Sequence, residues 1–406
     1  MKKQCMTILL LIATVSLFGA EKLTLEQCIQ AAIKNNKSLQ QGSFSVQQTA
    51  LGTKSAYASL YPSASASASE SGGNGSSKLG ANAGINQSLY SPGLYSEIKL
   101  AKNKTDVAKL DKEELEAEIR ASVETAYYNI LTYQGLINVY RENLTAAAEN
   151  LQLIRTMYKL GTRTESDVLK AEVQKGEIEN TLINQEHELI SEKRSLAVLM
   201  GDSPEQEFEI VDIDVEQMNI PDLTKAKNLL LKNSLEYQSL QKSLKNEQIS
   251  LKIAKEAYLP NISAGYNYSK DWTGATTTDG YGSWSISASI GIFDGFSKKQ
   301  NVQKSKLSLK SAEVGLQAKE QELLSTLLNY YSDLDNKNRI IDLQEKTLES
   351  ARKNYELVTR QYELGMATML EQTTAQVSVL QAQSNLVKAK YSRKIVESQI
   401  RQLLAL

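Results

Sequence analysis

The sequence predicts a mainly α-helical chain that also carries a transmembrane β-barrel portion. Three observations predict it: a plan repeated along the chain, helices too long for a globular core, and strand pairs with one apolar and one hydroxyl-bearing face. The repeat is explicit. Met157 to Gln174 (MYKLGTRTESDVLKAEVQ) returns as Gln361 to Ser378 (QYELGMATMLEQTTAQVS), with Tyr158/Tyr362, Leu160/Leu364, Gly161/Gly365, Thr164/Thr368, Ala171/Ala375 and Val173/Val377 in step. Leu144/Leu348, Ala147/Ala351, Asn150/Asn354 and Leu153/Leu357 extend the match upstream, and Pro62/Pro260 precede the strands in each copy. Two copies of one large unit point to pseudo-symmetric stacking rather than two unrelated domains.

The chain opens with MKKQCMTILLLIATVSLFGA, a short basic start, an apolar run and small residues at its end. Residues 1–20 therefore read as a secretory signal peptide. Phe18 stands where a small residue is usual before a cut after Ala20, so the position of the cut is left open. Cys5 lies inside the leader, away from the junction. Loss of the leader leaves Cys28 as the one cysteine and no intramolecular disulfide.

The first repeat covers 21–201. From Leu23 to about Tyr61, Leu25, Ile29, Ile33, Val46 and Ala50 fall at helix-face spacing, and Pro62 ends the helix. Residues 63–70 alternate Ser and Ala, SGGNGSS makes a turn, and 79–90 form a second strand of period two. Ser91, Pro92 and Gly93 break it and start a helix that runs to about Tyr158 with Gly135 as its one glycine. At 1.5 Å per residue that rod is roughly 95 Å long. A turn, LGTRTESD, leads into a returning helix, Val168 to Met200.

The connector 202–222 carries Asp202, Glu205, Glu207, Glu209, Asp212, Asp214, Glu216 and Asp222 without Lys or Arg, and reads as a solvated link rather than a cation site. The second repeat, 223–406, follows the same plan. It has a helix from Leu223 to Leu259, Pro260, strands at 261–272 and 281–293, a long helix from Asp294 and Gly295 to about Glu363, a turn at Leu364 to Thr368, and a last helix to Leu406. In Ser283 to Phe293 the residues Trp284, Ile286, Ala288, Ile290 and Ile292 point one way, and Ser283, Ser285, Ser287, Ser289 and Gly291 the other. One face suits lipid and the other a wet interior. Tyr61, Tyr90, Tyr258 and Phe293 at the helix ends of the strands, with Trp272 and Tyr281 near the outer loop, supply two aromatic belts.

The net charge of -1 offers nothing to nucleic acid. After the leader no apolar run reaches the roughly 18 residues of a spanning helix. Four strands cannot close a barrel, and open edges in lipid leave unpaired backbone groups at several kcal/mol each. The barrel is therefore expected to be shared: two chains give eight strands with a filled interior, three give twelve and a water-filled lumen. Helices with apolar stripes and abundant Ala need neighbours to pack on, so long antiparallel hairpins from three chains would form an α-barrel beside the β-barrel.

The helix opening LTLEQCIQAA, the strand ends SLYSPG and GIFDGF, and the turns YKLGT and YELGM resemble the TolC family of outer-membrane efflux proteins across the mature chain. That resemblance implies a channel-tunnel fold and a homotrimer in contact with outer-membrane lipid. It also implies a periplasmic adaptor (membrane fusion) protein and an inner-membrane transporter as partners, and no cofactor. It implies that Leu160, Gly161, Thr162, Leu364, Gly365 and Met366 form tips that contact the adaptor. By position it makes Asp167 and Glu371 an acidic constriction and Arg163 a gate residue, because Ala367 stands where the family commonly has a basic side chain. Ser166 and Asp167 are also good helix starters.

Enzyme chemistry finds little support. His187 lies in a charged helical stretch with no second histidine to complete a metal site. The glycine-rich SGGNGSSK lacks phosphate-loop spacing, and no GxSxG occurs. The functional expectation is a passive exit duct for efflux or secretion. The alternatives are a periplasmic adaptor or a coiled-coil stalk, neither of which needs two-faced strand hairpins. The exported cargo is not legible.

Overall fold

The computed structural model describes residues 22–73, 76–212, 219–273, 276–277 and 279–406. Residues 1–21, within which the leader is expected, and residues 74–75, 213–218, 274–275 and 278 lie outside the described residues. The order of elements repeats as the sequence does. The first copy has a short strand β1 (Lys22–Leu23), α1 (Leu25–Asn35), α2 (Lys37–Ala58), β2 (Ser63–Gly73), β3 (Ser76–Tyr90), α3 (Leu94–Lys159) and α4 (Glu165–Met200). After the two-residue strand β4 (Glu209–Ile210) come α5 (Leu223–Asn233), α6 (Leu235–Glu256), β5 (Asn261–Thr273), β6 (Thr276–Thr277), β7 (Tyr281–Ser289), α7 (Ser297–Glu363) and α8 (Met369–Leu403). Among the described residues no helix is both long and apolar enough to cross a membrane.

Both leading helices are broken where a single helix was expected. Asn36 accepts at its side chain from the backbone N–H groups of Ser38 and Leu39, and Ser234 accepts from that of Tyr237. A polar cap that satisfies orphan N–H groups starts a new helix without any proline. The connector also differs from a fully solvated link. Glu209 and Ile210 pair in parallel with Lys22 and Leu23, and Phe208 and Ile210 are buried.

The chain divides into two compact units that each draw on both repeats. One comprises the described parts of Met1–Lys34, Val123–Glu216 and Thr347–Tyr391. Its core includes Val123, Tyr127, Ile130 and Leu131, which recur at helix-face spacing on α3. The fully buried Tyr127 donates its hydroxyl to the Val211 carbonyl at 2.6 Å and to that of Leu23 at 3.3 Å, pinning the β1 and β4 strands. Burial pushes its phenol well above the ordinary range.

The other unit comprises Asn35–Ser122, Gln217–Lys346 and Ser392–Leu406. Ala226 and Leu230 of α5, Leu323 and Leu327 of α7, and Val396, Ile400 and Leu404 of α8 form one apolar cluster. Beside it, Glu114 of α3 is half-buried among Glu236, Glu118 and Asp111, while Lys319 bonds Glu236 at 2.6 Å and Glu322 at 2.9 Å. Burial, then Glu236, Glu118 and Asp111, raise the Glu114 carboxyl to about 7, and Lys319 opposes them.

The same unit holds the sheet. β2 pairs with β3, β3 with β5 and β5 with β7, all antiparallel, while β6 extends the β5 hairpin near its tip. β7 ends at Ser289, so Ile290 and Ile292 lie beyond the paired strand rather than within it. The chain bends there into the turn before α7, where Gly295 and Phe296 both adopt positive φ, which a paired strand does not allow.

Candidate functional site

Two regions gather the chemistry anticipated from the sequence, the sheet and the turns between the long helices. In the sheet, register sorts the side chains into two sets. Ala64, Ala66 and Ala68 of β2 pair with Ile85, Ala83 and Ala81 of β3. Ile85, Ala83 and Leu79 pair in turn with Tyr266, Tyr268 and Trp272 of β5, and Ala264 and Tyr266 pair with Ile286 and Trp284 of β7. Because side chains alternate along a strand, these residues share one face. Ser63, Ser65, Ser67 and Ser69, with Gly80, Asn82, Gly84 and Asn86, share the other, as do Ser263, Gly265, Asn267 and Ser269 and the serines at 283, 285 and 287.

The hydroxyl face is also internally bonded. Ser263 Oγ and Ser287 Oγ are 3.2 Å apart, and Ser269 donates to Asn82. Near one end of the strands Lys78 and Asp271 form an ion pair of 2.9 Å, so this face carries little net charge there. On the opposite face, Tyr266 and Tyr268 lie over Gly282 and Gly280, where a Cβ would collide with each phenol oxygen. Trp284, Ile286 and Tyr281 are exposed, as are Tyr61, Tyr258 and Phe293 flanking the sheet. A two-layer sandwich would bury the apolar face. Among the described residues nothing packs over it.

The turns after α3 and α7 are built alike. Gly161 (φ 73) and Gly365 (φ 75) adopt the left-handed conformation, and the N–H groups of Thr162 and Met366 reach back to the carbonyls of Met157 and Gln361 at 3.0 and 2.8 Å. This is a glycine-stopped helix end with its carbonyls satisfied. Leu160, Leu364 and Met366 stand exposed at 74, 74 and 71 %. Thr164 and Asp167 then form a reciprocal capping box that starts α4. Thr368 and Glu371 do the same for α8: the Glu371 carboxylate accepts from the Thr368 backbone N–H at 2.7 Å and from its hydroxyl at 2.9 Å. The backbone hydrogen bond first, then the hydroxyl, holds the Glu371 carboxyl below its usual range.

Arg163 turns toward the other repeat. Its guanidinium carbon lies 3.9 Å from the centre of the Tyr362 ring, and Nη2 donates to the Tyr362 carbonyl at 2.7 Å. Tyr362 is fully buried in a cluster with Leu151, Ile154, Ala171 and Met369. Its repeat counterpart Tyr158 is exposed. Deeper along the helices Gln174 Nε2 donates to Gln376 Oε1 at 2.9 Å, both buried. Neither contact is legible in a single repeat, because each joins residues from different copies. The available signal was the mismatch of Arg163 with Ala367 at equivalent positions. His187 is exposed, and among the described residues no group of His, Cys, Asp and Glu side chains is arranged to hold a metal ion.

The family model described as outer membrane efflux protein matches residues 28–202 and 227–406. No curated protein matches the sequence. Among solved structures the fold is similar to CusC, described for its conformational changes on folding and transmembrane channel formation, at 16% identity and TM-score 0.84 over 94% of this chain and 91% of that one. It is similar to the outer membrane protein VceC of Vibrio cholerae, at 16% identity and TM-score 0.83, covering 94% and 95%. It is also similar to the CmeC outer membrane channel of Campylobacter jejuni, at 17% identity and TM-score 0.77, covering 94% and 85%.

Proposed function

The chain belongs to the outer membrane efflux protein family and is an outer-membrane exit duct with a periplasmic helical tunnel, and we propose that it works as a homotrimer in a tripartite efflux or type I secretion system. The family is one of passive channels. An inner-membrane transporter then supplies the driving force, and a periplasmic adaptor links the two.

The single observation that carries the trimer is the sheet. It segregates a largely apolar face, with Glu70 and Lys270 near the hairpin tips, from a Ser, Gly and Asn face and leaves β2 and β7 each paired on one side only. Lipid offers no hydrogen bonds to such edges, so copies of the chain must satisfy one another. Two copies would give a barrel filled by side chains, whereas three would leave a lumen that the small polar face suits. In this reading Leu160, Gly161, Thr162, Leu364, Gly365 and Met366 meet the adaptor, and Arg163, Asp167 and Glu371 border the constriction. The two exposed, glycine-stopped turns support the first assignment. The contact from Arg163 to Tyr362 supports the second.

Membrane-extracted protein run unboiled and boiled on a denaturing gel tests the assembly, with single-channel recording in planar bilayers beside it. A heat-sensitive trimer band and ion conductance are expected. Monomer alone, with no conductance, would sink the reading.

A further inference from the structure

The two strand hairpins superpose in register, and that symmetry fixes how the open edges meet. Pro62 and Pro260 end the helices before the hairpins, and the next residues pair as Ser63↔Asn86 in one and Asn261↔Ser289 in the other. Laying the first pair on the second makes the following pairs coincide as far as Ser71↔Lys78 on Ser269↔Tyr281: Ala64↔Ile85 falls on Ile262↔Ala288, and Ser67↔Asn82 on Gly265↔Ser285. One chain therefore already contains one junction between successive hairpins, β3 against β5, with Asn86↔Gly265 and Gly84↔Asn267. The junction that the chain lacks is β7 against β2. It is the same junction carried forward by one hairpin.

We propose that β7 of one chain pairs antiparallel with β2 of a second copy in a single register, with Ser289 opposite Ser67, Ser287 opposite Ser69 and Ser285 opposite Ser71. The register follows from replacing each residue of the β3–β5 junction by its equivalent: Asn86 by Ser289, Gly265 by Ser67, Gly84 by Ser287 and Asn267 by Ser69. All three pairs set serine against serine on the polar face; on the other, Ala288 meets Ala68 and Ile286 meets Glu70. Ser287 then stands between Ser263 of its own chain, 3.2 Å away, and Ser69 of the neighbour, continuing a hydroxyl row. Neither edge offers a proline or lysine that would refuse a partner: β2 reads SASASASESGG and β7 reads YGSWSISAS. A slip by one residue would set Ser289 opposite Ala66 or Ala68 and mix the two faces. Slips by two keep the faces matched, so the repeat symmetry is what selects among them.

This inference rests on the shared barrel proposed above. Paired cysteines separate the two claims. In a Cys28→Ser background, Ser69→Cys is combined with Ser287→Cys, and as slipped controls Ser65→Cys, Ser67→Cys and Ser71→Cys are each combined with Ser287→Cys. Opposed Cβ atoms across antiparallel strands lie about 5 Å apart, whereas Ser65 would sit roughly 13 Å along the strand from the matched position. Outer-membrane protein is oxidised, boiled and run without reductant. The 69/287 pair is expected to give the highest yield of covalent dimer and trimer, Ser67→Cys with Ser289→Cys should cross-link comparably, and single cysteines should give monomer. A higher yield from a slipped pair, or none from either matched pair while the unboiled trimer persists, overturns the register and leaves the barrel standing. Absence of the unboiled trimer in the parent protein overturns both.

Discussion

Arg163 and Tyr362 join the two repeats at their turns: the guanidinium carbon sits over the buried ring and Nη2 donates to the carbonyl of the same residue. A cation stacked on a desolvated ring is worth about 0.5 to 2 kcal/mol, and a planar guanidinium supplies both contacts where an ammonium cannot. Arg163→Ala should therefore raise single-channel conductance in planar bilayers and increase protease nicking at the turns. Arg163→Lys should fall between. Unchanged conductance in both variants would remove Arg163 from the constriction.

At the turns, a side chain at Gly161 or Gly365 meets nothing within 4 Å, so the penalty comes from positive φ alone. That penalty is roughly 1 to 2 kcal/mol. Replacing both with valine should abolish dye efflux from cells while the heat-sensitive trimer survives. Normal efflux would show that the turns are not partner contacts.

The lipid face is tested at Ile286, which pairs with Ala264 inside the sheet. Ile286→Arg should cost about 2 to 4 kcal/mol near mid-membrane and reduce trimer yield in the outer membrane. Ile290→Arg, past the last paired residue of β7, should be tolerated better. Equal yields from Ile286→Arg and the parent would exclude this face from lipid.

That comparison also marks how far the sequence could be read. Strand identity was legible because alternation of Ser with Ile, Trp and Ala has one period and two faces. The end of β7 was not, since Ile290 and Ile292 keep the alternation while the backbone has already turned. The helix breaks at Asn36 and Ser234 were hidden for a related reason. Neither residue interrupts the apolar pattern, and each acts through a side-chain cap that only the folded chain displays. The turns were readable from their duplicated glycines. The Arg163 contact was not, because Tyr158 and Tyr362 are equivalent in sequence while only Tyr362 is buried.

Glu371 caps α8, and its carboxyl is held below the ordinary glutamate value of 4.5 by the Thr368 backbone and hydroxyl. A depressed folded value means that the cap stabilises above pH 4.5 and is lost as pH falls further. Like charges meeting around a narrow axis would act in the opposite direction. The Asp167→Asn, Glu371→Gln double variant should weaken cation selectivity at neutral pH. If reversal potentials stay put while only the start of α8 loosens in acid, both carboxylates are caps and nothing more.

Glu114 offers a second titration with the opposite sign. Its folded value is raised to about 7 from 4.5, chiefly by burial. The fold therefore favours the protonated form, and stability declines as pH rises from about 4.5 through 7. Glu114→Gln should raise the thermal midpoint at pH 8 and leave it unchanged at pH 4. An equal shift at both would assign the effect to packing rather than charge.

The rims of β2 and β7, on which Glu70 is the one charged residue, bear on how the protein is made. A newly exported subunit, still in water, presents two long edges with free N–H and C=O groups and an apolar face beside them, the features that recruit stray chains into aggregates. Its isolated state is then a hazard rather than a reservoir. Assembly has to be rapid or chaperoned, and overproduction should yield insoluble or degraded monomer well before it saturates the membrane.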